Sequence, residues 1–450
     1  MATSTQNQPP PRPIGRPRVI ESGHASLVGV LNLVRSGIAT TRQDIERCSE
    51  LGRAVVTDRL ATLAKLNLIG EGELGQSAGG RAPRHIRFRP DAGRILVSVL
   101  DRSSLAVGLS DLSGTLSSEH HEALDIGASA QDVLERVTVL FNWLLEDQQE
   151  SVDVWSIGIS LPGPLSPPGD VLFSAPRVQA LQAWADFPFI EELSARFGAP
   201  VWAQGSAQVM TMGELKSGEG RDTRDMLFVE LGRSINAGLV SNGQLHLGAH
   251  GAAGLIGHSF VERESLDSLA GADAVAAEGL AAANEDRSPY LATVLARSGD
   301  VGPADIGHGA QLGDPFCMEL LARVGRLIGE CLAPLVNMAN PEVIVLAGSV
   351  AQTGDTLLAA VREAVYRQSH PLVTRDLRIV RSQMGNSAGL IGAAQLAAES
   401  LFDPRVLAGW ITLGSPLQHP LFLEILSHAR RATVKPARPE PPRIRASRRP

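Results

Sequence analysis

Apolar positions near the start of the chain recur at helical spacing and then give way to alternation. Leu27, Val30, Leu31 and Val34 fall at i, i+3, i+4 and i+7, one face of a helix over His24–Arg35. Gly37 ends it, and Thr40 or Thr41 is placed to cap a second short helix, Arg42–Cys48. After a turn at Ser49-Glu50-Leu51-Gly52, a third helix, Arg53–Leu66, puts Val56, Leu60 and Leu63 on one side, and both Val55 and Val56 read as core. A short strand at Leu68-Ile69, a glycine-rich loop from Gly70 to Gly80 and an alternating segment over Arg84–Arg89 complete the set. Helix, helix, turn, helix and a two-stranded wing predict a winged helix-turn-helix over residues 24–90. Residues 1–23, rich in Pro, Gln, Ser and Thr, read as a disordered basic arm.

From residue 91 the periodicity changes. Ile95–Leu100 and Leu105–Leu109 are apolar strands joined by a polar turn, with a further turn at Asp111-Leu112-Ser113-Gly114. Ala130–Leu145 is helical, and Val154–Leu161 is a buried strand ending in Pro162-Gly163-Pro164. Glu191–Phe197 is helical, and Pro200–Ala203, Met226–Leu231, Ala237–Val240 and Val343–Leu346 are strands. Long helices are expected around Ala322–Met338 and Gly389–Ala398. Strands alternating with helices predict an α/β body in two lobes over residues 91–401. Residues 402–450 are expected to be an extension ending in a basic disordered tail. No internal sequence repeat is visible.

Charge changes this picture. The net charge of −7 hides an uneven distribution. Residues 1–90 carry 13 Lys+Arg against 7 Asp+Glu, and residues 401–450 carry 9 against 3. The body between them carries 19 against 38, a net of −19. Such a body repels phosphates, so any nucleic acid is held by the ends. No apolar run reaches membrane-spanning length, and the first residues contain no apolar segment like a signal peptide. Cys48, Cys317 and Cys331 are scattered, which excludes a disulfide framework and a metal cluster and fits a reducing cytoplasm.

The second helix of a helix-turn-helix presents its first residues to base edges in the major groove. Here those are Arg53, Ala54 and Thr57, behind Gly52. Arg53 suits a bidentate contact to guanine or a phosphate contact. Arg42 and Arg59 join the candidate DNA-contacting set, and Asp58 is expected to lie on the outer side or against Arg59. In the glycine-flexible wing, Arg81 and Arg84 suit minor-groove or backbone contacts. A small three-helix partner-binding domain is the alternative. In the arm, the Gly15-Arg16-Pro17 core resembles a minor-groove AT-hook and equally suits a solvated linker.

At this point the chain resembles the ROK family of repressors and sugar kinases over residues from His24 to about Leu401. Gly79-Gly80-Arg81-Ala82-Pro83 looks like the linker of its repressor branch, and Leu161-Pro162-Gly163-Pro164 resembles its Pro-Gly-Pro loop. Asn242-Gly243-Gln244-Leu245, followed by Gly248-Ala249-His250-Gly251-Ala252-Ala253-Gly254, matches the most specific stretch. Gly257-His258 matches the end of a Glu-x-Gly-His signature, Val343–Gly348 the adenosine-side strand, and Gly392-Ala393-Ala394 the closing helix. The resemblance implies an actin-like, ribonuclease-H-like body, a double-stranded DNA operator, a sugar-type effector and a homo-oligomer.

The residues that carry kinase chemistry in that family are missing. Where its first phosphate turn begins with Asp, this chain has Val99, followed by Leu100-Asp101-Arg102-Ser103. The second phosphate loop reads Gly232-Arg233-Ser234-Ile235-Asn236, the catalytic base falls on Ser206 with Gly205 before it, and the Glu of Glu-x-Gly-His falls on Leu255. A serine hydroxyl does not deprotonate a sugar near neutral pH without its own base. The family's zinc cysteines are replaced by Ser259–Ser265. The expectation is therefore a regulator with no enzyme activity, no metal and no cofactor. Arg177, Gln204, Ser206, His258 and Asp267 are the candidate effector-lining residues, and Arg177 reads equally as a surface salt-bridge residue. A DNA-binding sugar kinase, and a regulator whose body serves only dimerisation, stay open.

Overall fold

The computed structural model describes residues 23–74, 84–125, 127, 129–148, 153–163, 165–166, 177–178, 184, 187–261, 263–385 and 387–433. The chain divides into two compact units, Met1–Phe88 and Arg89–Pro450.

The first unit contains α1 (Gly23–Arg35), α2 (Arg42–Ser49), α3 (Arg53–Lys65), β1 (Ile69–Leu74) and β2 (Arg84–Phe88). Leu27, Leu31, Val34, Ile45, Val56, Leu60 and Leu63 form its core. The two threonines divide their tasks. Thr41 caps α2, its hydroxyl accepting the Asp44 N–H at 3.2 Å. Thr40 holds the wing: its carbonyl accepts the Ile86 N–H at 2.7 Å, and its hydroxyl lies 3.2 Å from His85 Nδ1. Glu50, in the left-handed region at φ 55°, makes the turn between α2 and α3. Two expectations are corrected. Val55 is 38% exposed rather than core, because the helical stripe passes through Val56 instead. The loop expected from Gly70 is strand as far as Leu74, since Gly70 and Glu71 pair with Arg87 and Ile86. Residues 75–83, with Arg81, lie outside the described residues, as does the arm.

The second unit begins with β3 (Arg94–Asp101), β4 (Ser104–Asp111), β5 (Leu116–Ala123), α4 (Ala130–Glu146), β6 (Val154–Leu161), β7 (Leu165–Ser166), β8 (Arg177–Val178), α5 (Phe189–Phe197) and β9 (Val201–Gly205). Then α6 (Ser206–Ser217) leads into a second lobe. There β10 (Met226–Leu231), β11 (Ile235–Ser241), β12 (Gln244–His246), β13 (Phe260–Val261) and β14 (Glu264–Ser265) come first. Helices α7 (Leu266–Ala270), α8 (Ala272–Asn284), α9 (Pro289–Ser298), α10 (Pro303–Gln311) and α11 (Pro315–Ala339) follow. β15 (Val343–Ala347), α12 (Asp355–Gln368), α13 (Pro371–Thr374) and β16 (Arg378–Arg381) complete the lobe, and α14 (Ser387–Leu401), α15 (Pro404–Trp410) and α16 (Pro420–Thr433) close the unit. Among the described residues no helix is long and apolar enough to cross a membrane.

The two five-stranded sheets share one topology. Their orders are β5-β4-β3-β6-β9 and β12-β11-β10-β15-β16. In each, the first three strands are antiparallel neighbours and the last two run parallel to the third. The repeat that the sequence does not display is thus present in the fold.

Helices α6 and α14 pack on each other between the sheets at backbone contact distance. A Cβ on Gly213 would collide with the Ala388 carbonyl, one on Gly392 with the Val209 carbonyl, and one on Gly158 of β6 with the Ala393 carbonyl. The segment after residue 401 also belongs to the folded body. Trp410 is fully buried, packs edge-on against Trp155 at 5.6 Å, and donates its ring N–H to the Leu401 carbonyl at 3.2 Å. Phe402 and Phe422 are buried as well, and Arg430 and Arg431, expected in a disordered tail, lie on α16. Residues 434–450 are outside the described residues.

The helix crossing makes a signed prediction. Gly→Ala inside a helix ordinarily stabilises by about 1 kcal/mol. Gly392→Ala is expected instead to lower the stability of the full chain by about 1–3 kcal/mol, the usual cost of overpacking. Urea unfolding measures it, and a gain in stability would show that the helices are not in contact there.

Candidate functional site

In the first unit, α2, α3 and the wing strands enclose a groove of about 570 Å³. Thr41, Arg42, Gln43, Arg53, Thr57, Ala61 and His85 are among its lining residues. Burying Val56, Leu60 and Leu63 turns the opposite stripe of α3 outward, so Arg53, Ala54 and Thr57 are exposed. Gly52 caps α3 without a side chain, and Thr57 donates its hydroxyl to the Arg53 carbonyl at 2.9 Å. Arg42 and Arg53 therefore share one face. Arg59 does not reach it: its Nε donates to Ser26 Oγ at 2.9 Å, tying α3 to α1, and its Nη1 pairs with Asp58 at 2.8 Å. Arg84 begins β2 opposite Leu74.

In the second unit the cleft between the lobes contains a small cavity. Gly163, Gly205, Ser206, Ala207 and Gln208 line it from one side, and Asn236, Ala237 and residues 251–255 from the other. Its second wall follows from the glycine motif. Asn242 and Gly243, both at positive φ (52° and 77°), make the two-residue turn between β11 and β12. Gly248, Gly251 and Gly254 then take φ values of 73°, 65° and 98°, which side chains other than glycine rarely adopt. Those turns fold the loop back so that the Gly254 carbonyl accepts the Ala237 N–H at 2.7 Å.

Two hydrogen bonds join the first turn of α6 to the second lobe. Ser206 Oγ donates to Glu230 Oε2 at 2.8 Å, and Gln208 Nε2 donates to the Gly251 carbonyl at 2.8 Å. Gln204 Nε2 in turn donates to Gln208 Oε1. Burial pushes the Glu230 carboxyl up to about 7; the Ser206 hydrogen bond opposes that shift and the negative Asp101 adds to it. Glu230, Gln208 and Asn236 were not anticipated from sequence. Glu230 carried a signal, a lone acid inside the apolar strand Met-Leu-Phe-Val-Glu-Leu.

The positions that hold phosphates in a kinase are occupied differently. β3 turns into β4 tightly, with Asp101 opposite Ser104. Val99, which stands where the family's first phosphate turn begins with Asp, lies against Gly389 of α14. In the second loop Arg233 is exposed and pairs with Asp273 at 3.4 Å. The Asp267 carboxylate accepts the Ile235 N–H at 2.6 Å, so it pins that loop. His258 is exposed on a short 3-10 turn, outside the cavity lining, whereas Leu255 is part of it. Arg177 pairs through its backbone with Ser166. Where the zinc cluster was expected to be replaced, β13 and β14 form a hairpin, closed by the Leu266 N–H on the Ser259 carbonyl at 2.9 Å. Among the described residues no group of three or more His, Cys, Asp or Glu is arranged to hold a metal.

The family model described as the ROK family matches residues 102–400. The chain belongs to the ROK family. It is 23% identical over 365 residues to the xylose repressor of Bacillus spizizenii, covering 81% of this chain and 92% of that protein. It is 28% identical over 258 residues to a glucokinase of Halalkalibacterium halodurans, covering 55% of this chain and 77% of the enzyme. A solved ROK family transcriptional regulator, a homologue of the E. coli MLC protein, superposes with a TM-score of 0.70 at 22% identity, covering 90% of this chain and 99% of the other. The repressor match is longer than the glucokinase match, 365 residues against 258, and the ROK body is an α/β, actin-like kinase fold.

The two arginines of α3 should separate on mutation. Arg59→Ala is expected to cost about 0.5–1.5 kcal/mol, the worth of its hydrogen bond to Ser26. Arg53→Ala should stay within about 0.5 kcal/mol of wild type, as exposed substitutions do. Equal losses in urea unfolding of the full chain would contradict this division.

Proposed function

We propose that this ROK protein is a sequence-specific DNA-binding transcriptional regulator, a repressor controlled by a sugar or a related small molecule, and that it performs no phosphoryl transfer. One observation carries the reading: a winged helix-turn-helix with Arg53 exposed at the start of its recognition helix precedes a cleft in which Val99 and Ser206 occupy kinase positions. Phosphoryl transfer works by positioning phosphates and stabilising their charge. An apolar Val99, an Arg233 turned to Asp273 and a serine in place of the base supply neither. Asp101, at the β3–β4 turn, adds negative charge where a kinase would hold phosphate.

In this reading Arg53, Thr57 and Ala54 read bases, and Arg42, Arg81 and Arg84 hold the backbone. Ser206 and Gln208 line the effector cleft, and Gln204 supports Gln208 by donating a hydrogen bond to it. The named function of the Bacillus spizizenii relative, a xylose repressor, supports a sugar as effector class. A single winged unit reads few base pairs, so the operator is bound by an even-numbered oligomer.

Two outcomes follow. Incubation with ATP and a panel of hexoses should yield no sugar phosphate; product formation that is lost in Ser206→Ala would overturn the non-enzymatic reading. On DNA, Arg53→Ala should reduce discrimination between operator and scrambled duplex by about 1–3 kcal/mol, as for loss of a bidentate guanine contact. Arg84→Ala should weaken both duplexes alike and lower the salt dependence, as backbone contacts do. If Arg53→Ala weakened both equally while Arg84→Ala changed sequence preference, the recognition element would lie in the wing.

A further inference from the structure

The cavity between the lobes is too small for the effector assigned to it. Its free volume is about 20 Å³, close to that of one water, whereas ordinary ligand sites run to roughly 300–1,000 Å³. The cavity is half open, and a sugar-sized ligand is enclosed in it only if the walls move apart. The walls are the first turn of α6, with the Gly163 and Gly205 backbone beside it, and the 251–255 loop with β11 opposite. The ties between them are the Ser206 and Gln208 hydrogen bonds. One of these ends on an ionisable group.

We propose that the Ser206–Glu230 and Gln208–Gly251 hydrogen bonds form a latch that holds the effector cavity shut, and that ionisation of Glu230 releases it. The inference rests on the reading that this cleft is the effector site.

The surroundings of Glu230 explain why its charge matters. It sits on the face of β10 that carries Met226 and Phe228, packed beneath α6 with Met210 and Leu215. Across the sheet it is opposite Asn236 on β11 and Ala347 on β15. From α6 it meets the Ser206 hydroxyl, and from β3 the negative Asp101. Among the described residues no cation acts on it there. A neutral carboxyl fits this place and accepts the serine O–H. A carboxylate gains the same hydrogen bond but, half-buried, is only partly solvated and is repelled by Asp101, and it is relieved when the cleft opens further to water.

The sign follows by linkage. The shut state holds its Glu230 proton up to about pH 7, against 4.5 for a solvated glutamate. The latch is therefore at full strength below the solvated value and loses strength as pH rises through 7. Between about pH 6 and about pH 8 the closing equilibrium should fall about tenfold.

Amide hydrogen exchange on the full chain, corrected for the intrinsic pH dependence of exchange, reads this without DNA or effector, so it can fail while the regulatory reading stands, and the converse. In wild type, protection of the 248–255 loop and of the first turn of α6 should drop about tenfold from about pH 6 to about pH 8. Amides of β6 serve as the reference for global opening and should not change. Glu230→Gln, neutral at both pH values and able to accept the same hydrogen bond, should keep the loop protected at both. Ser206→Ala should lower loop protection at both. A wild-type loop insensitive to pH, or a Glu230→Gln loop that retains the full pH dependence, would overturn the proposal.

Discussion

The body of this protein depends on how closely two helices approach. α6 and α14 cross between the two sheets with no side chain at the contact points, because Gly213 and Gly392 present bare backbone to the carbonyls of Ala388 and Val209. Gly158 lets α14 settle equally close onto β6. This sets how deeply the two helices pack, because a close-packed interior leaves no room for an added side chain at those points. It also fixes where the first turn of α6 stands. Ser206 and Gln208 reach the second lobe because the helix that carries them is held at that depth.

The same geometry explains how one fold serves catalysis in some relatives and regulation here. The cleft keeps its glycine-turned loop and its paired sheets. What has changed are the groups that face phosphate. Val99 packs on α14, Arg233 turns to an acid on α8, and Ser206 hydrogen-bonds to Glu230. Asp267 retains a structural task, holding the β10–β11 turn through the Ile235 N–H. The two-lobed ROK fold is retained, with different side chains at the positions that face phosphate in a kinase.

Much of this was legible in the chain. Val154–Leu161 and Met226–Leu231 are strands with the expected bounds, because a fully buried strand is a continuous apolar run. The three helices of the first unit followed from a 3.6-residue stripe and a threonine cap. Other features were not legible for physical reasons. β5 reads Leu-Ser-Ser-Glu-His-His-Glu-Ala and shows little apolar alternation, because it is an edge strand with one solvated face. β1 hides behind Gly70, whose strand conformation comes from pairing with Arg87 of β2 rather than from propensity. Arg59 looks like its neighbours in sequence, and only the position of Ser26 on α1 shows that it is committed internally. Trp410 and Phe422 lie beyond the motif-bearing region, yet the first lobe buries them. At the cleft, Ser206 could be placed by resemblance, but its partner lies 24 residues away on another strand, and such a pairing is set by topology.

A regulator of this family requires an N-terminal unit that recognises DNA sequence. Selection of bound duplexes from a random DNA pool by the purified full chain tests it most directly. The account predicts enrichment of a motif made of two related half-sites, their centres about one helical turn, roughly 34 Å, or a multiple apart. A pool that shows no enriched motif after repeated rounds, with binding set by salt alone, would contradict it.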